Sequence, residues 1–420
     1  MKRTLMALAA ALAFAGCSED DLLNVDNNQI QEENAVSFGT YVGDNAQTRA
    51  SVIDTDILGV KGFGVNAWYT KAEEYSSTGT FDEFMANTKV TFNPDKGDNG
   101  TWTYSPVKYW PNNKFTDDEG NTKFEMVSFF AYGPYAKEPG ASNITLNEKG
   151  DALTFEVKNE VKEQVDLIYN TNYDGTVNQS KPAVGTKINF KFDHALSRVS
   201  FTVEAAVDEA TNGDNLLDGN SRINIKKVAL VDATTGYVAE AQSQSGPFYS
   251  KGTLSLLKPE SDDDSVWSET EGNQGFVFNA TEHFAHIKQD VDATDKTTTV
   301  DVMQLTRFNA SEPQPLLNED SYLMIIPQTD AEFKIYIEYD VITVGEDGAE
   351  DASMIANRIT SDEALKVTFE KGKAYNFNLV LGMTSVKFEA EVSEWDDDHE
   401  NYDQEDWLPE NTDESEGTNS

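Results

Sequence analysis

Between residues 187 and 203 apolar side chains fall on every second position. Ile188, Phe190 and Phe192 share one face, and beyond a polar break at 193–197 come Val199, Phe201 and Val203. Period-two alternation marks a strand with one buried face. The same pattern predicts strands at 36–42, 64–69, 89–92, 101–104, 125–132, 152–157 and 165–169. In the second half it predicts them at 223–231, 275–278, 321–326, 332–339, 364–369, 374–380 and 386–392. Clusters of Gly, Asn, Asp and Pro separate these runs and supply turns. No long amphipathic helix is expected; 81–85 and 361–365 have room for a turn or two. Regular short strands joined this way imply an all-β chain of antiparallel sandwiches. The polar break divides it into two units of similar size, 36–195 and 196–395.

Composition narrows the partners. The 420 residues include 74 acidic and 32 basic side chains, a net charge of −42. Such a potential repels phosphate backbones and excludes nucleic acid as a partner. It also disfavours lying on anionic lipid. With hydrophobic residues at 38% and aromatics at 11%, the chain still has material for a core. Residues 396–420 hold no Lys or Arg and many acids, which predicts a disordered, solvated tail.

The amino terminus carries an address. Lys2 and Arg3 precede an apolar run at 4–15, and Gly16 stands before Cys17, the one cysteine in the chain. Residues 1–16 have the layout of a secretory signal. The run is too short for a permanent membrane helix, which needs about 20 residues. Phe14-Ala15-Gly16-Cys17 resembles a lipobox, which implies that Cys17 is acylated with palmitate-type chains and becomes the first mature residue. Ser18-Glu19-Asp20-Asp21 resembles a surface-export signal of lipoproteins. Residues 17–35 read as a polar, acidic tether to the outer membrane.

Motifs for chemistry are sparse. Trp102, Tyr104, Tyr109 and Trp110 sit at strand spacing, which favours core packing over a sugar platform with Asn112 and Asn113. His283 and His286 are three apart but bring no third ligand, so no metal site is expected. His194, at the strand break, is expected to cap or pair locally. Gly-x-Ser-x-Gly, P-loop and dinucleotide fingerprints are missing from the sequence. The expectation is a protein without catalytic residues or cofactor.

Several stretches, in order, resemble the fimbrillin family of type V pilus subunits and related surface lipoproteins. They are Thr48-Arg49-Ala50, Trp102-Thr103-Tyr104 with Lys108-Tyr109-Trp110-Pro111, Val127-Ser128-Phe129-Phe130-Ala131-Tyr132, and 192–199. Leu323-Met324-Ile325-Ile326-Pro327-Gln328, Gly372-Lys373-Ala374-Tyr375, Val386-Lys387-Phe388 and Val392 to Trp395 continue the series. The resemblance implies two tandem transthyretin-like β-sandwich domains. It also implies that a trypsin-like protease cuts between Arg49 and Ala50. The cut would free the strand bearing Val36, Phe38, Thr40 and Val42, whose place a neighbour's strand would take. The best donor in this chain is 386–392, with Val386, Phe388, Ala390 and Val392 on one face. The expected product is a lipid-anchored outer-membrane precursor that enters a fimbria and supports adhesion. Its partners would be other pilus subunits, the protease and a host or bacterial surface ligand. The alternative is a monomeric surface lipoprotein, a pilus tip or a glycan- or host-ligand-binding adhesin, that keeps residues 17–49.

Overall fold

A computed structural model describes residues 34–42, 53–97, 100–136, 143–205, 221–261, 265–306, 309, 312–318, 321–343 and 353–394. Cys17, the signal and tether around it, Arg49, Ala50 and the acidic tail lie outside the described residues. Strands dominate what is described, and the fold is the expected all-β sandwich class. No described helix is long and apolar enough to cross a membrane.

One large sheet runs in the order Phe38–Val42, Ile188–His194, Ile168–Asn170, Met126–Gly133, Phe63–Lys71, Asp82–Asn93, Thr101–Thr103. The first of these, the N-edge strand, pairs parallel with Ile188–His194, Phe38 opposite Ile188 and Val42 opposite Phe192. A second sheet places Ser197–Ala205 parallel to Lys373–Leu381, and Val386–Glu394, the C-edge strand, closes its far side. These two pairs are the parallel departures, among the described residues, from an antiparallel design. A third sheet centres on Ser221–Asp232 and Gln328–Thr343. A fourth joins Ile144–Leu146 and Ala152–Glu156 to Lys251–Ser255 and Trp267–Glu271, so it draws strands from both sides of residue 195.

Met126–Gly133 explains how the layers connect. Successive strand side chains point to opposite faces, so Phe129 enters one core and Phe130 the other. Buried on both sides, the strand reads as a continuous apolar run rather than an alternation. The smaller core gathers Phe38, Phe63, Trp102, Trp110, Phe129, Phe190 and Phe192. The larger runs from Tyr132, Phe155 and Tyr169 to Phe201, Phe248, Phe333 and Phe377. Trp267 ties the two halves, its Nε1 donating to Ala195 O at 2.8 Å.

Two local expectations fail for physical reasons. Residues 81–85 form no helical turn but open the long strand Asp82–Asn93. A register shift opposite 65–67 interrupts its alternation. Asn87 absorbs that shift in left-handed backbone (φ 35°) and donates its N–H to Asn66 Oδ1 at 2.8 Å. Residues 361–365 are likewise not helical. A helix appears instead at Thr55–Lys61, started by Asp54, whose carboxylate accepts from Ile57 N at 2.7 Å.

Candidate assembly site

The N-edge strand is an edge only in its hydrogen bonding. Val36, Phe38, Thr40 and Val42 all face the small core, none more than 2% exposed. Phe38 packs on Phe63, Tyr104, Phe129 and Phe190 with ring centres 6.4, 5.2, 6.0 and 5.4 Å away. Its neighbour Gly39 lies close under the Asn189 side chain, whose Oδ1 would stand 2.4 Å from an added Cβ and would have to swing aside.

Both ends of the strand are fastened. At the start, Val36 N donates to Lys108 O (2.8 Å), Trp110 N donates to Asn34 O (2.9 Å), and the Tyr104 hydroxyl donates to Val36 O (2.7 Å). Burial pushes the Tyr104 phenol up to about 12, so it stays a donor. At the far end, Thr55 Oγ1 donates to Val42 O (3.0 Å) and accepts from Val42 N (3.2 Å). Ile53 N donates to Asp166 Oδ2 at 2.7 Å. Asp166 is in turn paired with His194 at 3.0 Å, both side chains buried. His194 therefore does not pair locally: its partner lies 28 positions earlier, because two strands meet there. Residues 43–52, which carry Arg49 and Ala50, lie between the held residues Val42 and Ile53.

The sequence reading missed Thr55 and Asp166. Asp54-Thr55-Asp56 does have the composition of a helix start, but nothing local marks Thr55 as the partner of Val42.

The C-edge strand stands elsewhere. It pairs antiparallel with Lys373–Leu381, from Val386 opposite Leu381 to Glu394 opposite Lys373. Val386 and Phe388 are half-buried against the large core, whereas Ala390 is exposed and Val392 is 55% exposed. The other face carries Lys387 paired with Glu389.

Of the aromatic cluster, Trp102 and Trp110 are core residues and Tyr104 is half-buried, while Tyr109 is 45% exposed. The histidine motif divides too. His283 groups with Glu160 and Glu282, and His286 is not among them. Asn279 N donates to His283 Nδ1 at 3.1 Å, which leaves the neutral ring's proton on Nε2, 3.3 Å from Glu160 Oε1. A ring held as a donor at Nε2 suits a carboxylate better than a cation.

The described residues thus define an all-β sandwich protein with a core-filling edge strand. The chain belongs to the fimbrillin-like family, whose model matches residues 48–395. It is similar in structure to a fimbrial protein from Bacteroides vulgatus, at 19% identity over 86% of this chain and 99% of that one, with a TM-score of 0.60. It also matches a fimbrial assembly protein from Parabacteroides distasonis, at 11% identity over 86% of this chain and 98% of that one, with a TM-score of 0.35. No curated protein matches the sequence.

Proposed function

We propose that this protein is a structural, non-enzymatic subunit of a cell-surface pilus that supports adhesion. On this reading it is exported as a lipoprotein anchored in the outer membrane through Cys17 and is cut after Arg49. It then assembles by accepting a neighbour's strand into the groove that residues 36–42 vacate. The observation that carries the reading is the N-edge strand: a core-filling edge strand whose last residue, Val42, is tied to Thr55 across the segment that holds Arg49. Losing it would expose Phe63, Phe129 and Phe190 along a ladder whose outer partners are gone. The family match supports the same division, since it starts at residue 48 and leaves the N-edge strand outside. Its end at residue 395 leaves out the acidic tail.

The donor on this reading is 386–392 of the next subunit, with Val386, Phe388, Ala390 and Val392 turned into the groove. A one-residue slip would put Lys387, Glu389 and Glu391 there, so the register is strict. On this reading the unit 36–195 supplies the acceptor groove and the unit 196–395 the donor strand. Limited trypsin digestion followed by sedimentation tests the proposal. The expected result is a folded product starting at Ala50 that forms polymers, with Phe388→Asp blocking polymer formation. Cleaved protein that stays monomeric at high concentration and high salt, where acidic repulsion is screened, would overturn it.

One observation favours the alternative of a monomeric tip or ligand-binding adhesin. The C-edge strand already has a nine-position ladder within its own sheet, which donation would have to break.

A further inference from the structure

We infer that Thr40 is a built-in weakness that keeps the N-edge strand removable, an inference that rests on the strand departing as proposed above. Its ground is one atom. Thr40 is fully buried, and its Oγ1 finds no hydrogen-bond partner among the described residues. A hydroxyl taken from water into an apolar core without a partner opposes burial of the strand that carries it. The residues that share its face, Val36, Phe38 and Val42, are all apolar and all belong to the small core.

Valine would fill the same volume with the same β-branched shape and no polar atom to dehydrate, so packing gives no reason for threonine here. The backbone offers no compensation either. Thr40 lies opposite Phe190 in a parallel ladder, the less stable kind per residue. Gly39 beside it adds no side chain to the opposite face. Apart from the ladder to 188–192, which runs its whole length, the hydrogen bonds that hold the strand lie at its ends, on Val36 and Val42. The strand is thus fastened at both ends and weakened in the middle. Cutting the chain beside the Val42 fastening leaves the weakened centre to bias the strand toward release.

Native-state hydrogen exchange on the uncut, full-length chain tests this without any protease. Thr40→Val is expected to raise protection of the exchange-protected amides in 38–42 about ten-fold. Amides of Ser221–Asp232 and Gln328–Thr343 that exchange by local opening should stay unchanged. Thr40→Ser, which keeps the hydroxyl and loses the methyl, is expected to lower protection of the same amides. Should Thr40→Val leave protection at or below the parent value, the inference is overturned, whether or not the cut protein polymerises. If protection rises as expected but cut protein stays monomeric, the inference about Thr40 stands and the pilus reading falls.

Discussion

Phe38 and Phe388 each stand on an edge strand in period-two alternation, yet they live in different surroundings. Phe38 is 1% exposed and ringed by four aromatic side chains, while Phe388 is half-buried at the margin of the larger core. Both strands have one side of their ladder unpaired within their sheets. What separates them is where the sheet puts its edge. The large sheet brings its first strand into contact with Phe63 and Phe129, which stand on strands several places away in the order. The sheet of Ser197–Ala205 ends at the surface. Edge position therefore says which hydrogen bonds are missing and nothing about how much apolar area a strand covers.

Truncating the two phenylalanines puts that contrast to its hardest test. Phe38→Ala should destabilise the uncut chain by about 3–5 kcal/mol, the range for a large aromatic removed from a closed core. Phe388→Ala, where area is only partly covered, should cost less than about 2 kcal/mol. Denaturant midpoints measure both. Equal losses would mean that the two edges are energetically alike.

The joining sheet comes next in size. Trp267 buries its ring against Phe155, 6.3 Å away, and bonds Ala195 across the halves. Trp267→Phe should lose that bond and part of the packing, about 1–2 kcal/mol. Because the sheet draws strands from both halves, the loss should appear as a shift of one transition. Two separate transitions would show that the N-edge core unfolds independently of the rest.

How much of this was legible in the sequence varies by element, and the reason is periodicity. Ile188–His194 and Ser197–Ala205 throughout, and Lys373–Leu381 from its second residue on, alternate between a buried and a half-buried face, so their side chains announce them. Lys251–Ser255, Ile287–Val291 and Ser353–Thr360 bury too little apolar surface to leave such a signal. Of Asp82–Asn93 only 89–92 could be read, its first part being hidden by the register shift. The apolar face of 36–42 could be read, but its depth could not. Thr55, Asp166 and His194 come together only through the fold. Cys17, Arg49 and Ala50 were legible only as motifs, and the described residues do not reach them.

A pH series sharpens the same comparison at the contact between Glu160 and His283, which again links the two halves. Burial pushes the His283 imidazole below its ordinary value, and the nearby Glu160 charge only partly offsets this. The unfolded chain therefore takes up this proton near pH 6.5 while the folded chain still resists it. Stability from this group is complete above that pH and declines as pH falls toward the folded-state value. Thermal melts at pH 7.5 and 5.5 should show a smaller acid loss in His283→Gln than in the parent. An unchanged acid loss would put the sensitivity on other groups.

The smallest effect belongs to the exposed end of the C-edge strand, and its smallness is informative. Val392 is 55% exposed, opposite Tyr375 in the ladder, so replacing it removes little buried area. Val392→Asp should change monomer stability by less than about 0.5 kcal/mol, the range of surface substitutions. A large apolar residue left so open on a regular strand has little to do for the monomer's own core. In the proposed fibre the same side chain turns into a neighbour's groove, where an unpaired carboxylate carries a heavy dehydration cost. Val392→Asp should therefore leave the melting curve of the uncut chain in place and sharply reduce sedimentable polymer after cleavage. If the variant polymerises as the parent does, the far end of 386–392 stays outside the groove and the donor segment must be drawn shorter. A destabilised monomer would mean instead that the C-edge strand is bound into its own sheet more firmly than its exposure implies, and the contrast with the N-edge strand would narrow.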